Sequence, residues 1–516
     1  MKCVLLSLVL YFLTAATGHG DELRYMQNCV KGEPNWTGAE HRVWASICGT
    51  GAFDSKTIES LNADFLRDLI TVKPYQDTIA MTGVAINNVK IIGAVDLRKR
   101  VIGGGLYLGD VSFENGSVLL DDATLNGGLE ISATTAARLS LDNARVARNV
   151  YIRGPLKISA NAARIGGEVY LATGITEIDI MDANIGGDLE LNRLEKVSIR
   201  GHNTTIGGSL KMQSMINGIS DPSLLERESS LIFPRAKISH DVSITDTHVS
   251  DLTLTDAEIG GSLRLTSVLL KTISARGLHV SKELILAPSG GDDLKWRPGS
   301  TFDIRNAHIS RISSPRKLSY WPERLLLADA QFENFSSEEE YVTPFFKFSQ
   351  EPEIRWFKDW LAQATKDKFE PQPYQYVISM ADKKGDSELR DSIGFEKKDR
   401  ERELACLRPI SLDCIILNFS RTVVGYGYQY YRTVWFVVFF VGLGAIIFQF
   451  APAADKQGMK YGLAYSFDMF LPLIHLRDLH SGVDIKNWVR YYFYVHKLAG
   501  WAAGSFLVAA LSGLTK

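Results

Sequence analysis

Short alternations of apolar and polar residues recur through the middle of the chain. The first are Ile102-Gly-Gly-Gly-Leu106 and Leu125-Asn-Gly-Gly-Leu129, and the pattern returns down to Val280-Ser-Lys-Glu-Leu284. Successive units begin 19 to 23 residues apart, with one interval of 32 between Ile206 and Ile238. A regular period of this length indicates a repeat architecture.

Each unit predicts short β-strands, because its apolar residues alternate with polar ones. A small residue stands two positions before most anchors, and a third alternating segment follows, as at Val197-Ser-Ile199. One unit cannot cover its own apolar face, so we expect about ten or eleven units to stack into a tube. The predicted fold is all-β, a parallel β-helix (solenoid) over residues 91–335, in which the Gly-Gly pairs supply unusual backbone angles.

The ends of this tube and two interruptions have their own patterns. Residues 58–69 have apolar positions at helical spacing, which predicts a helix within an N-terminal cap region at 21–90. Residues 219–230 and 288–298 break the period and are interpreted as loops, either functional or merely tolerated at the surface.

The first 20 residues predict a secretory signal peptide. Lys2 supplies a positive charge, residues 4–13 are apolar, and small residues follow at 16–18. The apolar run is shorter than the ~20 residues of a membrane span, which favours cleavage over retention as an anchor.

After the repeat, amphipathic segments at 353–364, 372–381 and 387–404 predict a helical hairpin neck over 350–405. Two uncharged stretches, 433–454 and 498–515, predict C-terminal transmembrane helices. The 455–497 loop between them contains an apolar stretch that predicts an interfacial or re-entrant helix. Gly500 and Gly504 form a G-x-x-x-G face for close contact with the first span or with a second copy of the chain.

Charge and hydropathy are balanced over the whole chain. There are 57 Lys and Arg against 59 Asp and Glu, a formal net charge of −2, and the mean hydropathy is −0.03. This balance excludes a nucleic-acid binder that is basic throughout, and we expect no nucleic-acid partner. The near-zero hydropathy is expected where apolar spans offset a polar-faced tube and a charged neck.

The sequence predicts no catalytic residue, cofactor or metal. The Ile-Gly-Gly triplets lack the strand-to-helix setting of a dinucleotide-binding turn. Residue types suited to metal binding occur in the loop at His475, Asp478, His480 and Asp484, but short polar turns commonly carry them. Aspartates that would suit a polysaccharide-cleaving enzyme, yet are also typical of a solvated wall, are Asp142, Asp179, Asp182, Asp251 and Asp256.

Four cysteines lie outside the predicted signal. Cys29 and Cys48 are disulfide candidates, because an oxidising compartment favours their pairing. Cys406 and Cys414, close to the membrane, could pair or remain thiols.

Several motifs together resemble bacterial membrane-anchored β-solenoid proteins, similar in appearance to pentapeptide-repeat proteins. They are the Ala-x-Ile-Gly-Gly-x-Leu-x-Leu repeat, Phe369-Glu-Pro-Gln-Pro-Tyr374, Phe467-Asp-Met-Phe-Leu-Pro-Leu-Ile-His-Leu476, and Ala499-Gly-Trp501 with Leu511-Ser-Gly-Leu514. The resemblance implies a bacterial inner-membrane protein, and with the signal it places the solenoid in the periplasm.

These features predict a non-catalytic envelope protein, anchored in a lipid bilayer, whose solenoid binds or scaffolds a protein or glycan. Two alternatives stay open. A carbohydrate-active enzyme requires a pair of carboxylates within about 10 Å of each other on one wall. A channel or immunity-type protein would work through the C-terminal helices and requires polar residues within the membrane, for which Gln449 is the one deep candidate.

Overall fold

The computed structural model describes residues 29–79, 83–194, 196–213, 229–287, 294–336, 351–366, 368–407, 411–429, 431–471 and 476–511. The chain divides into two compact units, Met1–Phe346 and Lys347–Lys516. The predicted signal at 1–20, most of the 219–230 loop and part of the 288–298 loop lie outside the described residues.

The first unit is a parallel β-solenoid of about 11 turns, which confirms the predicted tube. Its described strands form one 30-stranded ladder. We number its walls 1, 2 and 3. Wall 1 contains the anchor strands Val101–Ile102, Thr124–Leu125, Arg145–Val146, Arg164–Ile165, Asn184–Ile185, Thr205–Ile206, Lys237–Ile238 and Glu258–Ile259. Wall 2 contains Leu129–Ala133, Val150–Arg153, Val169–Ala172, Leu189–Asn192 and Leu210–Gln213.

Wall 3 follows at the next corner of each turn. It contains Val95–Asp96, Ser117–Leu119, Ala137–Ser140, Leu156–Ser159, Glu177–Asp179, Ser198–Arg200, Ser229–Ile232, Lys295–Asp303 and Arg324–Leu326. Longer strands continue from wall 2 into wall 3 at Val242–Thr253 and Leu263–Ser274, and from wall 1 into wall 2 at His279–Ala287, His308–Ser313 and Gln331–Ser336. The wall 2 strands Val84–Ile92 and Leu106–Glu114 are also long, but they end before the wall 3 strands of their turns. A short 3-10 helix spans Leu318–Tyr320.

The repeat anchors stack directly on one another inside the tube. Val146 is the register partner of Leu125 on one side and of Ile165 on the other. These side chains are buried, as is Ala144 two positions earlier. Residue alternation puts every second side chain of each strand into this core and leaves the others on the outer surface. The sequence alignment of the repeats therefore matches the observed register.

In each turn, the residue at the corner before wall 1 has a left-handed backbone conformation, with φ between 54° and 67°. These residues are Lys99, Asp122, Asn143, Ala162, Asp182, Asn203, Arg235, Asp256, Gly277, Asn306 and Asp329. The Gly-Gly pairs have no positive φ, so the prediction that they supply unusual angles is wrong. A Cβ on Gly186 would instead overlap the carbonyl oxygen of Gly166 in the preceding turn. Close approach of the turns favours glycine there.

The N-terminal cap begins with a helix at Gly38–Thr50, whose first turn is closed by reciprocal hydrogen bonds between Thr37 and Glu40. The helix predicted at 58–69 starts only at Ala63 and ends at Thr71. The preceding residues form the strand Ala52–Asn62, which pairs in parallel with Val84–Ile92 and so extends the ladder. A one-turn helix, Tyr75–Ile79, completes the described cap.

The second unit is helical. Its described helices are Glu351–Ala364, Pro371–Lys383, Ser387–Ala405, Leu412–Val424, Tyr431–Phe448, Leu463–Phe470, Asp478–Ser481 and Val489–Leu511, with a 3-10 turn at Gly425–Gly427. The first three correspond to the predicted neck helices and agree with them within a few residues.

Among the described residues, one helix is long and apolar enough to cross a membrane, Tyr431–Phe448. It ends earlier than the predicted 433–454 span. Of the second predicted span, residues 498–511 belong to the helix Val489–Leu511, which starts nine residues earlier and includes Arg490 and Lys497, and residues 512–515 lie outside the described part of the chain. Two transmembrane helices are therefore not confirmed.

Candidate functional site

Two exposed arginines lie together on wall 1, and a third lies at the corner that follows it. Arg145 and Arg164 are register partners on neighbouring turns, and Arg148 follows Arg145 at the next corner of the same turn. Neighbouring strands are about 4.8 Å apart, so side chains from both turns can contact one ligand. Aligning the repeats places Arg145 and Arg164 directly before their anchors, and this signal could have identified the pair from sequence.

A groove of about 390 Å³ is lined by Arg145 and Arg164 and crosses four turns, and Arg148 lies one residue beyond its lining residue Ala147. Asn126 and Asn184 lie towards its two ends, and Gly166 and Gly186 form part of its floor. The floor is shallow because glycine leaves the outer surface of each turn without a side chain. The groove therefore presents charged and amide side chains beside bare backbone.

The groove arginines form no ion pair with any residue that the structure describes, in contrast to neighbouring cations. On walls 2 and 3, Arg153 pairs with Asp110 at 3.3 Å, Lys157 with Glu177 at 3.3 Å, Arg200 with Glu177 at 2.8 Å, and Lys211 with Glu190 at 2.9 Å. The positive charge of wall 1 is consequently not neutralised by these neighbours.

Two tyrosines line up on wall 2, in the same turns as the paired arginines. Tyr151 and Tyr170 are register partners, and their ring centroids are 6.2 Å apart. The Tyr151 hydroxyl donates to the Glu168 carboxylate, and Asn149 Nδ2 donates to that hydroxyl at 2.9 Å. Burial, together with the Glu168 hydrogen bond, raises the pKa of Tyr151. The hydroxyl is held in place and the half-buried ring lies along the wall.

Of the five aspartates that would suit an enzyme, Asp142, Asp179 and Asp182 contact side chains of the following turn. Asp142 Oδ1 accepts a hydrogen bond from Ser159 Oγ at 2.7 Å, and Asp179 forms an ion pair with Arg200. Asp182 Oδ1 accepts from Asn203 Nδ2 at 2.9 Å. Asp251 Oδ2 accepts from Ser250 Oγ at 3.0 Å, and Asp256 is one of the left-handed corner residues. The first three aspartates therefore link neighbouring turns.

Two disulfides are present among the described residues. Cys29 and Cys48, the predicted candidates, are joined with a Cα–Cα distance of 5.9 Å. Cys406 and Cys414 are also joined, with a Cα–Cα distance of 4.8 Å. The first bond links the N-terminal segment to the cap helix, and the second bridges the end of the neck to the next helix.

Those residues of the 455–497 segment that were considered for metal binding and are described by the structure do not gather into one site. His480 is buried and its Nδ1 lies 2.7 Å from Oδ2 of buried Asp468, whose other oxygen accepts from the Leu476 backbone N–H at 2.8 Å. Asp484 is exposed and faces Arg490 at 3.7 Å, and His475 lies outside the described residues. The described residues contain no group of three or more metal-capable side chains.

A second set of buried polar contacts, which the sequence did not predict, holds the short helix Leu463–Phe470, to which Asp468 also belongs. Ser466 Oγ donates to the Val441 carbonyl at 2.8 Å, and His496 Nε2 lies 2.9 Å from the Ser466 carbonyl. The Tyr492 hydroxyl lies 3.3 Å from His496 Nδ1. These bonds connect the helix to both long helices of the unit. They join residues up to 30 positions apart, and no sequence period marks them.

Gly500 packs against another helix of its own chain. A Cβ on this residue would overlap the carbonyl of Phe470, so the glycine admits the end of the short helix Leu463–Phe470 rather than the first predicted span. Ala503 packs nearby against Val441 and Phe470. Gly500 itself therefore contacts the short helix, while Ala503 beside it also packs against Val441 of the first predicted span.

The neck contains a charged network centred on Asp399. Its Oδ1 accepts from Arg402 Nε at 3.0 Å, Arg421 Nε at 2.9 Å and the Tyr426 hydroxyl at 3.1 Å. Burial acts to raise the pKa of Asp399, but the Arg402 hydrogen bond and the two arginine charges outweigh burial and hold that pKa below its usual value. Burial and the Asp399 charge raise the pKa of Tyr426 to about 12. This network stabilises the helix junction.

No protein-family model, curated protein or solved structure matches the chain. The functional assignment therefore rests on the chemistry of the residues described above.

Proposed function

We propose that this protein is a non-catalytic, membrane-anchored scaffold whose solenoid binds a protein or glycan. The observation that carries the proposal is the parallel ladder of about 11 turns, because it aligns outward side chains into long rows at a constant spacing. Such rows form an extended, rigid surface. The uncompensated arginines on wall 1 give that surface a chemically distinct region.

Membrane anchoring is supported by the helix Tyr431–Phe448, which is apolar and mostly exposed. The resemblance to bacterial membrane-anchored β-solenoids extends the proposal to a second span at 498–515 and to the inner membrane. The predicted signal at 1–20 and the two disulfides favour a periplasmic solenoid, since disulfides persist in oxidising compartments.

A channel or immunity-type function is the second candidate. It is favoured by the buried polar side chains of the helical unit, Ser466, Asp468, His480 and His496, because ionisable residues among membrane helices often mark ion or proton paths. Their hydrogen bonds to one another and to backbone carbonyls are equally suited to fixing the short helix, so the solenoid surface remains the preferred site of function.

Crosslinking with mass spectrometry on isolated membranes tests the proposal. We expect crosslinks to a partner on outward side chains of the solenoid walls. Crosslinks confined to the helical unit would favour the second candidate instead. Protease added to intact spheroplasts should digest the solenoid, and protection that is lost only on lysis would contradict the periplasmic orientation.

A further inference from the structure

We infer that the wall 1 groove is a binding site for an acidic polysaccharide, whose carboxylates are bound by Arg145 and Arg164 in the groove and by Arg148 at its edge. This inference rests on the proposed function, since it names the ligand class of the binding surface. It begins from charge: three exposed guanidinium groups lie on two adjacent turns and form no ion pair among the described residues.

The arrangement of the arginines suits anions that repeat along a chain. Arg145 and Arg164 are in register on strands about 4.8 Å apart, and the groove crosses four turns, which is about 14 Å along the tube axis. Guanidinium groups form paired hydrogen bonds with carboxylates and do not lose their charge at physiological pH. An extended polyanion can therefore contact both arginines in succession.

The other groups of the groove favour a sugar. Asn126, Asn184 and Thr124 offer amide and hydroxyl groups that can exchange hydrogen bonds with ring hydroxyls. The groove formed by these described residues is open, and it provides no enclosed apolar pocket for a lipid chain or for the large anchor residues of a peptide. Tyr151 and Tyr170 supply ring faces on the adjoining wall.

Nucleic acid is less well suited to this site. Affinity for nucleic acid comes largely from many phosphate contacts along the backbone, whereas the described groove is lined by two arginines, with a third beside it, and the whole chain has a net charge of −2. A short polyuronide requires only a few ionic contacts, supplemented by hydrogen bonds to its hydroxyls.

Binding of the full-length protein in detergent to polygalacturonate tests the inference, with fully methyl-esterified polygalacturonate as the uncharged counterpart. The groove variant carries R145Q, R148Q and R164Q. The control variant carries R138Q, R264Q and K271Q, which remove the same charge from exposed cations of walls 2 and 3 that have no ion pair among the described residues.

We expect the groove variant to bind polygalacturonate about tenfold more weakly or worse, since each guanidinium–carboxylate contact is a charge-assisted pair. The control variant should bind within about twofold of the native chain, and the esterified polymer should not bind. Equal losses in both variants would overturn the site, because they would show unspecific attraction between net charges.

Binding to phosphatidylglycerol vesicles and to double-stranded DNA is measured in parallel with the same variants. Loss of either interaction in the groove variant, with no binding of polygalacturonate by the native chain, would overturn the polysaccharide as ligand. That outcome would leave the proposed anchored scaffold standing. The scaffold proposal fails separately, if the native chain does not remain in membranes or its solenoid makes no crosslinks.

Discussion

At the scale of single residues, the solenoid depends on two backbone requirements that the sequence displays differently. The Gly-Gly pairs are easily recognised in the sequence. They allow successive turns to pack closely, as Gly186 against Gly166 illustrates. The left-handed corners were not recognised, although Asp, Asn and Gly occupy most of them, because a short polar residue before a small one also occurs in ordinary loops. Backbone conformation was therefore harder to predict than strand position.

Ala162 provides a test of the corner requirement. It occupies a left-handed corner with φ of 54°, a conformation that costs a residue with a Cβ about 1–2 kcal/mol. Ala162→Gly should raise the free energy of unfolding of the solenoid by up to about 1 kcal/mol, after allowing for the greater freedom of glycine in the unfolded chain. Denaturant titration measures the change. Ala147→Gly, at an exposed position without positive φ, should lower stability slightly, and a gain of equal size there would refute the explanation.

Asp399 provides a residue-scale test in the helical unit. Asp399→Asn should lower the free energy of unfolding by about 1–3 kcal/mol at pH 7, because two arginines and Tyr426 lose a charged acceptor. Asp382→Asn, which removes a more exposed partner of Arg390, should cost less than about 1 kcal/mol.

The effect of Asp399 should also depend on pH. Its folded-state pKa is lowered, so its contribution is present above the unfolded value of about 3.9 and is lost as pH falls through the folded value. The difference in stability between the native chain and Asp399→Asn should therefore shrink in strong acid. A difference that is constant from pH 7 to pH 2 would contradict the role of the carboxylate charge.

At the scale of elements, strands were predicted better than helix contacts. Stacked strands repeat the same register, so aligning Leu125, Val146 and Ile165 was enough to place them side by side. The helix predicted at 58–69 was placed too early because 59–62, despite the helical spacing of Ile58 and Leu61, pair in parallel with residues 89–92 of the next turn. The Asp468–His480 contact spans an irregular loop, and such contacts between non-repeating elements have no sequence period.

The short helix Leu463–Phe470 should depend on that contact. Asp468→Asn should lower the stability of the helical unit by about 2 kcal/mol or more, because a buried acceptor loses its charge while His480 and the Leu476 N–H remain buried beside it. Denaturant titration in detergent, followed by intrinsic fluorescence, measures the loss. Asp484→Asn, on an exposed residue facing Arg490, serves as control and should change stability by less than about 1 kcal/mol. Equal effects would contradict a structural role for the buried pair.

At the scale of the whole molecule, the chain consists of a solenoid, which the sequence predicted closely, and a helical unit, which the sequence predicted only in outline. Repetition explains this difference. A strand that is misplaced in the sequence of one turn can be corrected from the sequences of the neighbouring turns, whereas each contact between helices occurs only once. The wall 1 groove follows from the repeat, since the residue before each anchor lies outward and in one row. Its charge comes from Arg145 and Arg164, which occupy that row in adjacent turns.

The central claim, that this solenoid is anchored in a membrane, is tested most directly by extracting cell membranes with alkaline carbonate. We predict that the full-length chain stays in the membrane pellet. A chain in which Val438 and Phe439, exposed near the middle of Tyr431–Phe448, are both replaced by arginine should be released by carbonate in a larger fraction than the native chain, because each charge costs about 2.5–3.5 kcal/mol at the centre of a span. Release of the native chain by carbonate would contradict the anchor.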